Sequence, residues 1–69
     1  MTFGTKLRKL RLERGYSQAH VADFIGVDQS SYCRLESDKV QPKLQIALKI
    51  AQLYHIDLTM LYAATIGIL

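Results

Sequence analysis

Cysteine is almost absent from the sequence, and this limits the classes of protein to which the chain can belong. Cys33 is the single cysteine in 69 residues, so the disulfide framework typical of small secreted proteins is excluded. Long apolar runs are missing too, so no segment is predicted to span a bilayer. Near the start, lysines and arginines stand where a secretory signal would need apolar residues. We therefore expect a cytoplasmic protein with no membrane partner.

Residues that interrupt helices are also scarce, since the chain has one proline and four glycines. Hydrophobic residues make up 49% of the sequence, a content too high for a disordered chain. A chain of this length forms one domain, close to the lower size limit for a core that folds without disulfides or metals. The net charge of +3 favours polyanionic partners, but only weakly.

Hydrophobic spacing and capping residues predict five helices and no strands, which is an all-α bundle. The predicted helices cover approximately residues 2–14, 18–25, 29–37, 42–54 and 58–64. Gly15 and Gly26 end the first two helices, because glycine adopts the left-handed conformation of a helix C-terminus at little cost. Ser17 and Asp28 are candidate N-caps for the second and third helices.

The sequence also predicts the start of the fourth helix, two core tyrosines and the bounds of the domain. Pro42 is predicted in the first turn of the fourth helix, where its missing N–H is not needed. Tyr32 and Tyr54 are predicted to be core residues whose hydroxyls reach the surface. The domain is predicted to cover residues 1–64, and residues 65–69 form an apolar C-terminal tail.

The second and third predicted helices are short and are joined by a tight turn. Only Gly26 and Val27 separate Ile25 from the candidate N-cap Asp28. Two short helices joined in this way, the first of them ended by glycine, form a helix-turn-helix unit.

Residues 17–36 resemble the helix-turn-helix of the phage repressor/Cro (XRE-type) family, and their sequence is SQAHVADFIGVDQSSYCRLE. Residues matching that family also occur outside this run, at Arg11, Gly15, Tyr16, Pro42, Ile50, Ala51 and Ile56. The resemblance covers about residues 3–62. It implies a lambda repressor-like five-helix bundle that acts as a transcriptional regulator, with repression as the expected mode. It also implies binding to double-stranded DNA as a homodimer, on an operator with two half-sites.

Base contacts are expected from Gln29, Ser30 and Arg34, which occupy family positions with that role. A recognition helix enters the major groove with its N-terminal residues toward the base edges. Glutamine can bind adenine through N6 and N7 together, and arginine can bind guanine through O6 and N7. The alternative is that this face of the third helix is simply solvated.

Phosphate contacts are expected from Gln18, Ser31, Lys39 and Lys43. Gln18 opens the second helix, where backbone N–H groups favour anions. The family uses a glutamine there to hold the DNA backbone and to brace the first glutamine of the recognition helix, which here is Gln29. The two lysines flank the loop after the third helix, and either could instead be solvated.

Arg11 and Glu36 are assigned a structural role by the resemblance, as a partly buried ion pair that ties the first helix to the end of the third.

Two other residues depart from the family pattern. Phe24 stands where the family has an outward polar residue, and it either folds back onto Tyr54 or marks a protein contact. Asp38 replaces a frequent glycine, and its side chain tolerates a left-handed backbone although its charge opposes phosphate binding.

Catalysis and metal binding find no support in the sequence. It has no glycine-rich phosphate loop and no recognisable pair of nucleophile and base. His20, His55 and Cys33 are too far apart in sequence to suggest a zinc site. We therefore expect no enzyme, no cofactor and no small-molecule substrate.

Two other functions remain open at this point. The fold could serve as a protein-interaction module, or the chain could be the DNA-binding antitoxin half of a toxin–antitoxin pair. For a homodimer, the candidate contact surface is the fifth helix with Leu61 and Tyr62, together with the apolar residues 66–69.

Overall fold

Five α-helices in the predicted order make up the described part of the chain. The structure is a computed structural model that describes the backbone of residues 1–66 and the side chains of residues 1–62. The helices are α1 (Phe3–Glu13), α2 (Gln18–Ile25), α3 (Gln29–Glu36), α4 (Leu44–Tyr54) and α5 (Leu58–Ile66). No strand occurs between residues 1 and 66. The prediction of an all-α bundle of five helices is confirmed.

Side-chain caps fix where α2 and α3 begin. The Ser17 hydroxyl accepts a hydrogen bond from the backbone N–H of His20 (3.0 Å), and the Asp28 carboxylate accepts one from Ser31 (2.7 Å). Each cap satisfies a backbone donor that has no partner within its helix. Gly26 ends α2 with a φ of +80°, in the left-handed region that favours glycine. The predicted caps and the glycine stop are therefore confirmed.

The fourth helix begins two residues later than predicted. Lys43 is its N-cap, with the extended backbone angles φ −70° and ψ 156°, so Pro42 lies in the segment before the helix and not in its first turn. The missing N–H of Pro42 costs nothing there either, because an extended segment outside the helix needs no intrahelical donor. Sequence spacing alone cannot distinguish these two positions.

The fifth helix is longer than predicted. It continues to Ile66, so the first two residues assigned to the apolar tail are helical, and residues 67–69 lie outside the described residues. Leu61 is fully buried, and the ring of Tyr62 lies 5.1 Å from that of Phe3. Leu61 is therefore unavailable for a dimer contact, whereas Tyr62 is only partly buried, and a contact through the fifth helix stays a prediction. None of the described helices has the length and apolar character needed to cross a membrane.

Every helix contributes side chains to one core. Its largest fully buried members are Tyr32, Tyr54, Leu7, Ile25, Ile50, Leu61 and Val21. The hydroxyls of the two tyrosines are buried as well, so the prediction that they reach the surface is wrong. Phe24 does not fold back onto Tyr54. Its side chain is 48% exposed, and the ring stacked on Tyr54 is that of Tyr16.

The start of α1 lies against the end of α3. A Cβ atom added to Gly4 would overlap the backbone carbonyl of Glu36, so only glycine permits this approach. Asp38, just beyond α3, has a φ of +61°, and its Oδ1 accepts a hydrogen bond from the Gly4 N–H (2.8 Å). The nearby Thr2 hydroxyl and the hydrogen bond from the Gly4 N–H lower the pKa of Asp38. Asp38, which stands where the family frequently has glycine, thus caps the start of α1.

We expect Gly4→Ala to destabilise the fold. The added methyl group must push α1 away from α3, and such overpacking typically costs about 1–3 kcal/mol. Urea denaturation monitored by circular dichroism would measure the loss in the free energy of unfolding.

Gly15→Asn is the matched control for that change. Gly15 also has a positive φ, of +71°, but its added Cβ would meet open space, and asparagine tolerates this conformation. A loss for Gly4→Ala no larger than that for Gly15→Asn would contradict the proposed close contact.

Candidate nucleic-acid interface

The turn between α2 and α3 presents the start of α3 to solvent. Gly26 directs the chain away from α2, and the N–H of Val27 donates to the carbonyl of Ala22 (3.0 Å). Asp28 then caps α3. On the inner side of α3, Tyr32 and Leu35 are buried in the core, which fixes the rotation of the helix and leaves its opposite side exposed.

The three residues expected to contact bases lie together on this exposed side. Gln29, Ser30 and Arg34 are all exposed, and they line an open concavity of about 430 Å³ together with Gln18 and Cys33. Ser30 and Arg34 are four residues apart and therefore lie one above the other along the helix. The surface carries amide, hydroxyl and guanidinium groups, which can donate and accept hydrogen bonds at base edges.

The residues expected to contact phosphates are not all in one place. Gln18 lies at the rim of the concavity, at the start of α2. Ser31 and Lys43 line a separate groove of about 340 Å³ between α3 and the loop that precedes α4. Lys39 is exposed in that loop. Of these four residues, Gln18 alone lines the concavity.

Arg11 and Glu36 form a bidentate ion pair between α1 and the end of α3. The Nε of Arg11 donates to Oε2 of Glu36 (2.6 Å), and its Nη2 donates to Oε1 (3.3 Å). The two side chains are only 12% and 5% exposed. A third N–H of Arg11 donates to the carbonyl of Tyr16 (3.1 Å), in the segment that leads into α2. One guanidinium thus joins three parts of the chain.

Gln18 connects this ion pair to the concavity. Its Nε2 donates to Oε1 of Glu36 (3.1 Å), so the side-chain amide is held by a buried carboxylate. The resemblance assigned this glutamine to bracing Gln29, whereas here its amide nitrogen is used by Glu36, whose charge makes it the stronger acceptor. Local sequence spacing gave no signal for this contact, because it joins residues 18 positions apart.

Opposing effects act on the carboxyl of Glu36. Burial alone would raise its pKa, but hydrogen bonds from Arg11 and Gln18 favour the charged form, and the net result is a lowered pKa. Burial, reinforced by the nearby carboxylate, raises the pKa of Tyr32 well above its usual range. The pair is therefore ionised, and the neighbouring phenol neutral, throughout the physiological pH range.

Metal-ligating residues do not cluster in the described structure. No group of three or more His, Cys, Asp or Glu side chains that could hold a metal occurs among its described residues. The ring of His20 instead lies 4.6 Å from that of Tyr16.

Two short helices joined by a glycine turn, with the polar face of the second exposed and its apolar face in a helical bundle, define a helix-turn-helix domain. A family model described as helix-turn-helix matches residues 7–61 of the chain, and the chain belongs to this family.

Curated relatives of the chain are named as transcriptional regulators or repressors. The SPbeta prophage-derived uncharacterized HTH-type transcriptional regulator YonR of Bacillus subtilis is 33% identical over 91% of this chain and 58% of its own length. The cryptic phage CTXphi transcriptional repressor RstR of Vibrio cholerae is 38% identical over 81% of this chain and 50% of its own length. An uncharacterized HTH-type transcriptional regulator of Archaeoglobus fulgidus is 33% identical over 74% of this chain and 73% of its own length.

The family is that of the helix-turn-helix domains, the relatives are named as transcriptional regulators or repressors, and the predicted family resemblance is confirmed. The chain spans about half the length of the first two relatives.

Acidification tests the ion-pair network. Because the pKa of Glu36 is lowered by folding, its stabilising contribution is present above its unfolded pKa of about 4.3 and is lost as the pH falls through the folded value. Glu36→Gln removes this titration. We therefore expect the free energy of unfolding of the natural chain to fall more steeply on acidification than that of the variant, as measured by urea denaturation. Asp28 and Asp38, whose pKa values are also lowered, contribute equally to both proteins.

Arg11→Ala should reverse the sign of the contribution that Glu36 makes to the change in the free energy of unfolding on acidification. Without the guanidinium, burial dominates and raises the pKa of Glu36. Acidification then neutralises a buried charge and restores part of the free energy of unfolding that the substitution removes. At neutral pH the unpaired charge should cost about 3–5 kcal/mol. Arg8→Ala, at an exposed position of the same helix, is the control. An unchanged melting temperature for Arg11→Ala would mean that the ion pair is screened by solvent.

Proposed function

We propose that this domain binds double-stranded DNA sequence-specifically, with α3 in the major groove, and that it represses transcription. The observation that carries this proposal is the concavity at the start of α3. Gln29, Ser30 and Arg34 are exposed there side by side, with Gln18 next to them. Their groups match the paired donors and acceptors that base edges present in that groove.

Phosphate contacts would set the position of the domain on the duplex. Gln18 and Ser31 are assigned to this role on the two sides of the recognition surface, and Lys39 and Lys43 add positive charge from the loop after α3. Such contacts carry no sequence information directly, but they orient the helix that does. The net charge of +3 supports attraction to the phosphate backbone.

A homodimer on two half-sites would provide the affinity that one short helix lacks. Half-sites read by paired helix-turn-helix domains lie one helical turn apart, or roughly 34 Å. The domain measures 34 × 24 × 21 Å, so two copies side by side can place their recognition helices at that spacing. We propose that the regulator acts in the cytoplasm, with DNA as its ligand and without enzymatic activity.

Selection of bound sites from a random DNA pool, followed by affinity measurements across a range of salt concentrations, tests the function. A DNA-binding protein loses affinity steeply as salt rises, because bound phosphates release their counterions. Binding that is absent, or insensitive to salt, would favour the protein-interaction module instead. Spacing between repeated half-sites in the selected pool would report the dimer.

Gln29→Ala should change which sites are preferred. Removing a side chain that hydrogen-bonds one base should cost about 1–3 kcal/mol at that base pair and relax the preference there. Competition binding against single-base variants of the selected site would measure this. Gln52→Ala, at an exposed glutamine of α4, is the control, and an equal loss for Gln29→Ala on every sequence would contradict base recognition by this residue.

Lys43→Gln should weaken binding to all sequences by a similar factor. Loss of one phosphate contact should reduce the slope of log affinity against log salt by about 0.9. The fold should be unaffected, because the Lys43 side chain makes no capping hydrogen bond to α4. Lys9→Gln removes the same charge from an exposed position of α1. A slope that falls equally for both variants would mean that only net charge matters.

A further inference from the structure

Cys33 belongs to the same surface as the residues assigned to base contacts. It lines the concavity of about 430 Å³ with Gln18, Gln29, Ser30 and Arg34. It follows Gln29 by four residues, so the two side chains lie one above the other, beside the parallel pair of Ser30 and Arg34. Its thiol is free and its side chain is exposed, so packing of the core does not explain its presence.

The chemistry of Cys33 differs from that of its four neighbours on this surface. They carry amide, hydroxyl and guanidinium groups, which are suited to the hydrogen-bonding edges of bases. A thiol behaves instead as a small hydrophobic group with a weak donor. In the major groove the one apolar feature of a base edge is the C5-methyl group of thymine.

We propose that Cys33 is a specificity-determining residue that contacts the C5-methyl group of a thymine in the bound site. This inference rests on the proposed function and adds to it a base preference that hydrogen bonding alone would not provide. Cys33 lies four residues beyond Gln29, or about 6 Å along the helix axis. Because successive base pairs are about 3.4 Å apart, the thymine lies within about two base pairs of the pair that Gln29 reads.

Replacing thymine with uracil removes only the methyl group and tests the contact directly. Each thymine of a selected site is replaced singly, and the dissociation constant is measured by fluorescence anisotropy. For the natural chain we expect one position to weaken binding by about fourfold, the factor expected for one apolar carbon. Cys33→Ser, which replaces the sulfur with a hydroxyl, should abolish this loss at that position and leave the responses at other thymines unchanged.

A matched control separates this effect from a general loss of apolar surface. Leu12 is an exposed apolar residue of α1 that does not line the concavity. Leu12→Ser should retain the full sensitivity to uracil. Circular dichroism melts of both serine variants should match that of the natural chain, because both positions are exposed.

Alkylation of the thiol gives a second, independent measurement. Because Cys33 is the only cysteine in the sequence, iodoacetamide reports on this position without any engineering. If bound DNA covers the thiol, the reaction should slow by about a hundredfold at a free DNA concentration of 100 times the Kd.

The outcomes separate this inference from the proposed function. Salt-dependent binding with a thymine at which Cys33→Ser abolishes the effect of uracil, and with protection of the thiol, supports both. Salt-dependent binding without such a thymine, or with an unprotected thiol, overturns the role of Cys33 and leaves the function standing. Absence of binding to any sequence overturns the proposed function, and the inference with it.

Discussion

The ion pair between Arg11 and Glu36 is the contact on which the arrangement of the helices depends. It is largely removed from solvent, so each charge relies on the other for much of the stabilisation that water would otherwise give. The same guanidinium also holds the Tyr16 carbonyl, and the same carboxylate holds the Gln18 amide. A single polar network therefore fixes α1, the start of α2 and the end of α3 relative to one another. The exposed face of α3 is aimed by this network and by the buried side chains beneath it.

Such a frame matters because a recognition surface of this kind is small. An eight-residue helix presents few groups to a base edge, and hydrogen bonds to bases discriminate only when donors and acceptors are correctly placed. Side chains that must first be ordered lose part of their binding free energy as entropy. Anchoring the inner side of α3 in the core and its C-terminal end in the ion-pair network reduces this loss. Stability and recognition are thus linked through Glu36, although Glu36 itself faces inward.

Local patterns in the sequence predicted most of the fold, and long-range contacts account for what they missed. Ser17, Gly26 and Asp28 mark the ends of α2 and α3, because capping depends on residues only a few positions apart. The family resemblance supplied the Arg11–Glu36 pair and four of the residues that line the concavity, Gln18, Gln29, Ser30 and Arg34. The hydrogen bond from Gly4 to Asp38 joins residues 34 positions apart, and no periodicity predicts it. The sequence assigned no contact to Cys33, and only the structure shows that it shares a surface with Gln18.

The inward and outward residues of α3 lie on opposite sides of the helix. The constraint of packing therefore acts on one set of residues and the constraint of recognition on the other. Tyr32, Leu35 and Glu36 hold the helix in place, while Gln29 and Cys33 among others touch nothing that the fold requires. Under the proposed function, exchanging the outward set for that of another regulator would retarget the domain to a different operator without repacking it. Related regulators could diverge in the same way, acquiring new binding sites through a handful of codon changes while the scaffold stays constant.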